Sequence, residues 1–242
     1  MHLHRGGLTS DCRVPLAPPA SPPAHESVAP TATTEIVKPL LRGVSHQWGA
    51  LVFAIAGIVL VLDAPAYARP TLAIYATCIT AMLATSALYH RGRWSDHGTA
   101  VMRKADHSGI FLAIAGTYTP LSWLALDHWT RWGVLIPVWL LAIAGIVLEW
   151  LPFQPPRGYV TAVYVTLGWI AVIALPSIWS DLGATGFALI VGAGLLYTVG
   201  AFVHAFHWPD PWPTVFGYHE IWHVFVLVAA AMHFVCIAFI VV

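Results

Sequence analysis

Charged residues are scarce in this sequence. Lysine, arginine, aspartate and glutamate make up only 9% of the 242 residues, whereas soluble domains carry about 25%. So few charges cannot cover the surface of a globular protein, which excludes an ordinary water-soluble enzyme. The 11 acidic residues balance the 11 basic ones, so the excess positive charge typical of nucleic-acid binders is also missing.

Cysteine is scarce as well. The three cysteines, Cys12, Cys78 and Cys236, are too few and too scattered for a disulfide framework or a cysteine-based zinc module. Histidine, in contrast, occurs 13 times. This abundance of histidine is the most unusual feature of the composition.

Most of the chain consists of seven long stretches without a charged residue. Their lengths lie between 17 and 28 residues, and they cover 43–62, 70–90, 107–126, 132–148, 158–180, 182–209 and 221–242. A helix needs about 20 apolar residues to cross a bilayer. Backbone groups in lipid must be satisfied internally, and the stretches lack the alternation of barrel strands. The sequence therefore predicts an all-α protein, a bundle of seven transmembrane helices.

Lysine and arginine predict the orientation, because they favour cytoplasmic loops. With a cytoplasmic N-terminus and seven crossings, only Arg69 and Arg131 lie in outer loops. Nine basic residues then lie on the cytoplasmic side: Arg5, Arg13, Lys38, Arg42, Arg91, Arg93, Arg103, Lys104 and Arg157. We expect the N-terminus to be cytoplasmic and the C-terminus extracytoplasmic.

Residues 1–34 differ from the rest of the chain. Proline is frequent there among alanine, serine and threonine, and no apolar run could form a core or a signal peptide. We predict a disordered tail over 1–34, followed by the seven-helix transmembrane domain over 35–242.

Ionisable residues at the ends of three predicted spans fall at one depth, on the cytoplasmic side. His90 ends the second span, and Asp106 precedes the third. His219 and His223 flank the start of the seventh. Ionisable groups in membrane helices are costly, and they indicate a functional site by default.

The spacing of these residues suits a metal ion. His219 and His223 are four residues apart, so they lie on one face of a helix. A catalytic zinc site uses three protein ligands and leaves one position open for water, and His90 supplies the third ligand. Ser86 lies one turn deeper than His90. We therefore predict Zn²⁺ bound by the three histidines, with Asp106 and Ser86 orienting the ligands or the bound water.

Other histidines are interpreted differently. His233 lies ten residues after His223, about 15 Å along the helix, and is interpreted as a buried polar contact. Four others lie near helix ends, where a lone histidine usually faces the membrane interface: His46, His107, His204 and His207.

The segment from His219 to His223 also matches the H-E-x-x-H pattern of zinc proteases, with Glu220 as general base. An intramembrane protease of this type needs a distant aspartate ligand. The nearest candidate, Asp63, lies at the outer end of the first span, on the opposite side of the membrane. The protease is therefore the less favoured hypothesis.

As a set, these residues resemble the hemolysin III family, within the wider group of progestin and adiponectin receptors. The resemblance covers residues 41–242. It is carried by Arg42-Gly43-Val44-Ser45-His46, by Ser86-x-x-x-His90, by the run from Lys104 to Pro120, and by His219-x-x-x-His223. It implies a seven-span fold, also found in alkaline ceramidases, in the plasma membrane of a bacterium. It also implies a zinc ion on His90, His219 and His223, with the family's aspartate at Asp106 and its serine at Ser86.

Two functions stay open at this point. A three-histidine zinc near the cytoplasmic leaflet suits hydrolysis of a lipid amide or ester, with Asp106 taking the proton. The alternative is a non-enzymatic cytolysin or receptor-like sensor in which zinc is structural. The expected partners are membrane lipids and a zinc ion, with no nucleic acid. The oligomeric state is left open.

Overall fold

The computed structural model describes residues 38–152 and 159–241, and these ranges are helical throughout apart from short connections. No β-strand occurs in them, and Trp212 and Phe216 form an isolated bridge. The all-α prediction is confirmed, whereas the predicted tail over 1–34 lies outside the described residues. The helices are α1 (Val44–Asp63), α2 (Arg69–Arg91), α3 (Asp96–Ala125), α4 (His128–Trp150), α5 (Tyr159–Gly168), a 3-10 helix (Trp169–Ala174), α6 (Leu175–Phe206) and α7 (Tyr218–Val241).

Five helical segments are long and apolar enough to cross a membrane: α1, α2, α4, the run Tyr159–Phe206 and Tyr218–Ile240. The run Tyr159–Phe206 has 48 residues, more than twice the length that one crossing needs. It is interrupted at Gly183, whose φ of 62° and ψ of −166° are not helical. Glycine adopts this conformation without steric cost. The break lies beside Asp181, the residue that separates the fifth and sixth predicted spans.

The start of α3 differs from the prediction. The uncharged stretch begins at residue 107, but α3 begins at Asp96, because the Ser95 side chain caps it by accepting a hydrogen bond from the Gly98 backbone N–H at 3.2 Å. Charged residues mark a membrane boundary and do not end a helix. Asp106 therefore lies inside α3 and not at its start.

The end of α5 is irregular, and Tyr118 on α3 compensates for it. The Tyr118 hydroxyl donates a hydrogen bond to the carbonyl oxygen of Gly168 and accepts one from the N–H of Ala171, each at 2.6 Å. Irregular backbone at membrane depth is tolerated where neighbouring groups supply the missing hydrogen bonds. The contact joins α3 to the 3-10 helix.

Two apolar clusters form the interior of the bundle. Leu72, Leu83 and Ile237 are completely buried in the first, and Val138 and Ala142 in the second. Large apolar side chains also remain exposed on the outer faces of the helices, among them Ile58, Leu140 and Phe239. Exposed apolar faces on long helices are expected where the surrounding solvent is lipid.

A glycine allows α2 and α3 to approach each other closely. A Cβ atom added at Gly116 would lie 2.5 Å from the Cβ atom of Cys78 on α2, a distance that forces one side to move. Small residues at helix interfaces are the usual means of close packing in membranes. The contact fixes the distance between the two helices that carry His90 and Asp106.

We expect Gly116→Ala to lower the free energy of unfolding by about 1–3 kcal/mol, because overpacking pushes α2 and α3 apart. The matched control is Gly133→Ala on α4, where an added Cβ meets nothing within 4 Å. The control should leave stability unchanged or raise it by up to about 1 kcal/mol through helix propensity. Equilibrium unfolding in detergent micelles measures both, and equal stability of the two variants would contradict the packing argument.

Candidate metal centre

Three histidines meet where the end of α2 adjoins the start of α7. His90 lies one residue before the end of α2, and His219 and His223 occupy the first two turns of α7. The Nε2 atoms of His90 and His219 are 3.2 Å apart. All three side chains offer a ligand nitrogen within 4.8 Å of the others, and no other group of this kind occurs within residues 38–152 and 159–241. We refer to these residues as the histidine triad.

The triad fits a tetrahedral zinc ion. With Zn–N bonds of about 2.0–2.1 Å, two nitrogen ligands of one tetrahedral ion lie about 3.3 Å apart, close to the 3.2 Å between His90 and His219. Two imidazole nitrogens at that distance need a proton or an ion between them. His223 is only 2% exposed, and its Nδ1 atom has no hydrogen-bond partner in the structure.

Asp106 and Ser86 lie beside the triad. The Oδ2 atom of Asp106 is 3.9 Å from Nε2 of His90, the same nitrogen that faces His219. The carboxylate therefore lies on the metal-facing side of the His90 ring and not behind it. Ser86 is buried one turn below His90, with its hydroxyl beside the Asp106 carboxylate. Both side chains can therefore contact a molecule that binds in the space next to the triad.

Glu220 has a structural role. It is 2% exposed, and one carboxylate oxygen accepts a hydrogen bond from the Arg42 guanidinium. The other oxygen accepts from the backbone N–H of Gly217 at 2.8 Å, which is the capping-box contact of a helix N-terminus. Because both oxygens are engaged, Glu220 is not free to act as a general base. This geometry argues against the protease hypothesis.

The segment before α1 packs directly against the triad. Gly43 has a φ of 77°, and an added Cβ atom would lie 2.8 Å from the Cβ atom of His90. Both facts explain why glycine occupies this position. The backbone N–H groups of Leu40 and Leu41 donate to the carbonyl oxygens of Thr214 and Val215 at 2.9 and 3.1 Å. The segment thus spans from α2 to the connection that leads into α7.

The interfacial interpretation is wrong for His46. Its side chain is 3% exposed and stacks on His223, with ring centroids 3.9 Å apart and an interplanar angle of 18°. It therefore forms a layer behind the triad. The sequence offers one signal for this contact. His46 is the last residue of the motif Arg42-Gly43-Val44-Ser45-His46, which contributes to the family resemblance.

Two other histidines are near the triad but outside it. The ring of His204, on α6, lies 5.1 Å from the ring of His219. His107 follows Asp106 on α3 but points elsewhere, and its Nδ1 atom is 3.4 Å from both carboxylate oxygens of Glu149 on α4. Adjacent residues on a helix differ by about 100° in direction, which accounts for the separation of His107 from Asp106.

A cavity of about 600 Å³ extends from the triad into the bundle. Most of its walls come from α2, α3, α5, the 3-10 helix, α6 and α7, and they include the triad and Asp106. Away from that end the lining is mostly apolar, with side chains such as Ile110, Val165 and Val226. The volume is in the range of pockets that hold small molecules. The triad is therefore open to an internal space and is not sealed by packing.

Comparisons with known proteins find similar sequences in bacteria and in an insect. The chain is 32% identical to Hemolysin-3 of Bacillus cereus over 217 residues, which cover 86% of this chain and 94% of the relative. It is 29% identical to a Hemolysin-3 homolog of Bacillus subtilis over 211 residues, covering 84% and 94%. It is 30% identical to the adiponectin receptor protein of Drosophila melanogaster over 151 residues, covering 54% of this chain and 33% of the relative.

The family comparison covers the helical part of the chain, including the residues around the triad. The model of the family described as Haemolysin-III related matches residues 34–234. That range contains all of α1 to α6, most of α7, and every residue placed at the candidate metal centre. The chain is a multi-pass integral membrane protein and belongs to the haemolysin III family.

Proposed function

We propose that this protein is a zinc-dependent hydrolase that cleaves an amide or ester bond of a membrane lipid. The observation that carries the proposal is the cavity of about 600 Å³ that reaches the histidine triad and Asp106. A zinc ion with a purely structural role is usually closed off by a fourth side chain. A zinc ion that acts on a substrate needs an open position and a space for the substrate.

Each residue of the site has its own role in the proposed reaction. Zinc, when bound, would polarise the lipid carbonyl and activate water for attack. His90, His219 and His223 would hold the ion. Asp106 accepts a proton from the attacking water and returns it to the amine or alcohol that is released when the C–N or C–O bond breaks. Ser86 positions the Asp106 carboxylate. The apolar part of the cavity receives the acyl chain and excludes bulk water from it.

We further propose seven spans, with the triad at the cytoplasmic face. The five long apolar segments, together with α3 and the division of Tyr159–Phe206 at Gly183, support a count of seven. Lys38, Arg42 and Arg103 line the cavity at its triad end. Basic residues favour the cytoplasmic side, so their position supports a cytoplasmic triad.

Reporter fusions test this topology. A reporter joined after Val242 is expected to be extracytoplasmic, because an odd number of spans separates it from a cytoplasmic N-terminus. A second reporter, inserted after Arg93 between α2 and α3, is expected to be cytoplasmic and serves as the control. A cytoplasmic signal from the C-terminal fusion would contradict the seven-span arrangement.

Metal analysis tests the triad independently of activity. Purified protein is expected to contain about one zinc ion per chain, and the double variant His219→Ala/His223→Ala is expected to contain none. Asp106→Ala should keep part of the metal, because groups next to the ligands typically change affinity only about 10–100-fold. His97→Ala, at an exposed position of α3, is the control. Equal zinc in the wild type and the double variant excludes the site.

Lipid hydrolysis tests the catalytic role. Asp106→Asn is expected to lower turnover by about 10²–10⁴-fold, the usual contribution of a general base, while it keeps the fold and most of the zinc. The matched control is Asp96→Asn, the same chemical change at an exposed position of the same helix. Purified wild type and both variants are reconstituted in lipid and assayed with a panel of ceramides and phospholipids.

Two results would reject catalysis. One is a zinc-loaded wild type that is inactive on every lipid of the panel. The other is equal activity in the wild type, in Asp106→Asn and in the double variant His219→Ala/His223→Ala, because that activity would not come from this site. Either result would favour the second candidate function, a cytolysin or receptor-like sensor with a structural zinc. The name of the Bacillus cereus relative, Hemolysin-3, supports a cytolysin, and that of the Drosophila melanogaster relative supports a receptor-like sensor.

A further inference from the structure

Two polar aromatic side chains meet inside the bundle, away from the triad. They are Tyr197 on α6 and His233 on α7, and we call them the mid-bundle cluster. The rings of Tyr197 and His233 stack with centroids 5.9 Å apart. The cluster therefore joins the last two helices of the bundle.

With the triad at the cytoplasmic face, as proposed above, the cluster lies near the middle of the membrane. His233 follows His223 by ten residues, which corresponds to about 15 Å along α7. The hydrocarbon core of a bilayer is about 30 Å thick, so a residue 15 Å below a triad at one face is close to the midplane. Placing polar groups at this depth costs free energy, so their presence indicates a functional role by default.

One atom of the cluster, Nδ1 of His233, lacks a hydrogen-bond partner in the structure. A buried polar atom without a partner destabilises a fold, whereas an apolar side chain at this position would avoid that penalty. Because His233 lines the cavity, the polar atom is better explained by a partner that enters from the cavity.

The cavity connects the cluster to the triad. Tyr197 and His233 line the same cavity as His90, His219 and His223. The charged residues among its described lining are Lys38, Arg42, Arg103 and Asp106, and α3 carries Arg103 and Asp106 on the side of the triad. The cavity is thus polar at the triad, apolar along its walls, and polar but uncharged at the cluster.

We propose that the mid-bundle cluster binds a neutral hydroxyl group on the acyl chain of a lipid whose carbonyl lies at the triad. A hydroxyl both donates and accepts a hydrogen bond, and it therefore matches phenol and neutral imidazole groups. An ionised group does not match, because the cluster offers no opposite charge. The inference rests on the proposed function only for the end of the lipid that lies at the triad.

Binding of two fatty acids that differ by one hydroxyl tests the inference. Ricinoleic acid carries a hydroxyl in the distal half of its chain, and oleic acid does not. Zinc-loaded wild-type protein in detergent is expected to bind ricinoleic acid about threefold to tenfold more tightly, the usual effect of one neutral hydrogen bond. Displacement of a fluorescent fatty acid measures both affinities without any need for turnover.

A single-oxygen variant locates the effect. Tyr197→Phe removes one hydroxyl and keeps the ring, and it is expected to abolish the preference while leaving the affinity for oleic acid unchanged. Tyr67→Phe makes the same chemical change at a side chain that is 70% exposed between α1 and α2, and it should retain the preference. Zinc content of each variant verifies that the triad is intact.

The possible outcomes separate this inference from the proposed hydrolysis. Equal affinities in the wild type, or a preference that survives in Tyr197→Phe, would overturn the role of the cluster. A fatty acid with its hydroxyl beside the carboxyl group is a further test. If it bound as tightly as ricinoleic acid, the role of the cluster would also be overturned, because the hydroxyl would then be bound at the triad end of the cavity. A Tyr197-dependent preference in a protein that hydrolyses no lipid would support the cluster and reject the hydrolase.

Discussion

The hydrocarbon interior of a bilayer offers no hydrogen-bond partners, and the arrangement of polar groups in this protein follows from that constraint. Some polar side chains are paired between helices. The indole N–H of Trp139 donates to Thr119 at 3.1 Å, and that of Trp169 donates to Thr198 at 2.9 Å. Each pair removes two polar groups from contact with lipid and also fixes two helices against each other. The polar atoms that remain without a partner include His223 and His233, both of which line the cavity.

The helices that carry the triad are held together by residues outside it. The segment that precedes α1 contacts both α2, which carries His90, and α7, which carries His219. Arg42 in that segment pairs with the buried Glu220 of α7, and Gly43 beside it packs on His90. Removing one partner of a buried ion pair is expected to cost about 3–5 kcal/mol, because the other charge is left uncompensated. The pair therefore fixes the start of α7 against the segment before α1. Because Glu220 is adjacent to His219, the pair also supports the metal ligands.

Charge spacing measures position along the membrane normal, and on that basis alone the sequence assigned His90, Asp106 and His219 to one level. In the structure Nε2 of His90 lies 3.2 Å from Nε2 of His219 and 3.9 Å from Oδ2 of Asp106. Charge spacing could not say which helices adjoin, and for that reason the stacking of His46 on His223 was missed. The start of α3 was misplaced for a related reason, since a helix can continue into water past the last lipid-exposed residue. Helix caps such as Ser95 are local signals and could have corrected it.

The position of Asp106 bears on whether a metal at the triad acts on a substrate. Its carboxylate approaches Nε2 of His90 to 3.9 Å, longer than the separation of about 3.3 Å between two ligands of one tetrahedral ion. Asp106 is also outside the group of side chains whose ligand atoms all lie within 4.8 Å of one another. A fourth ligand that closes a structural site would have to approach all three histidines. A carboxylate that approaches one of them from the cavity side is instead suited to hold a water molecule or a substrate group, which is the requirement for proton transfer and not for structural closure.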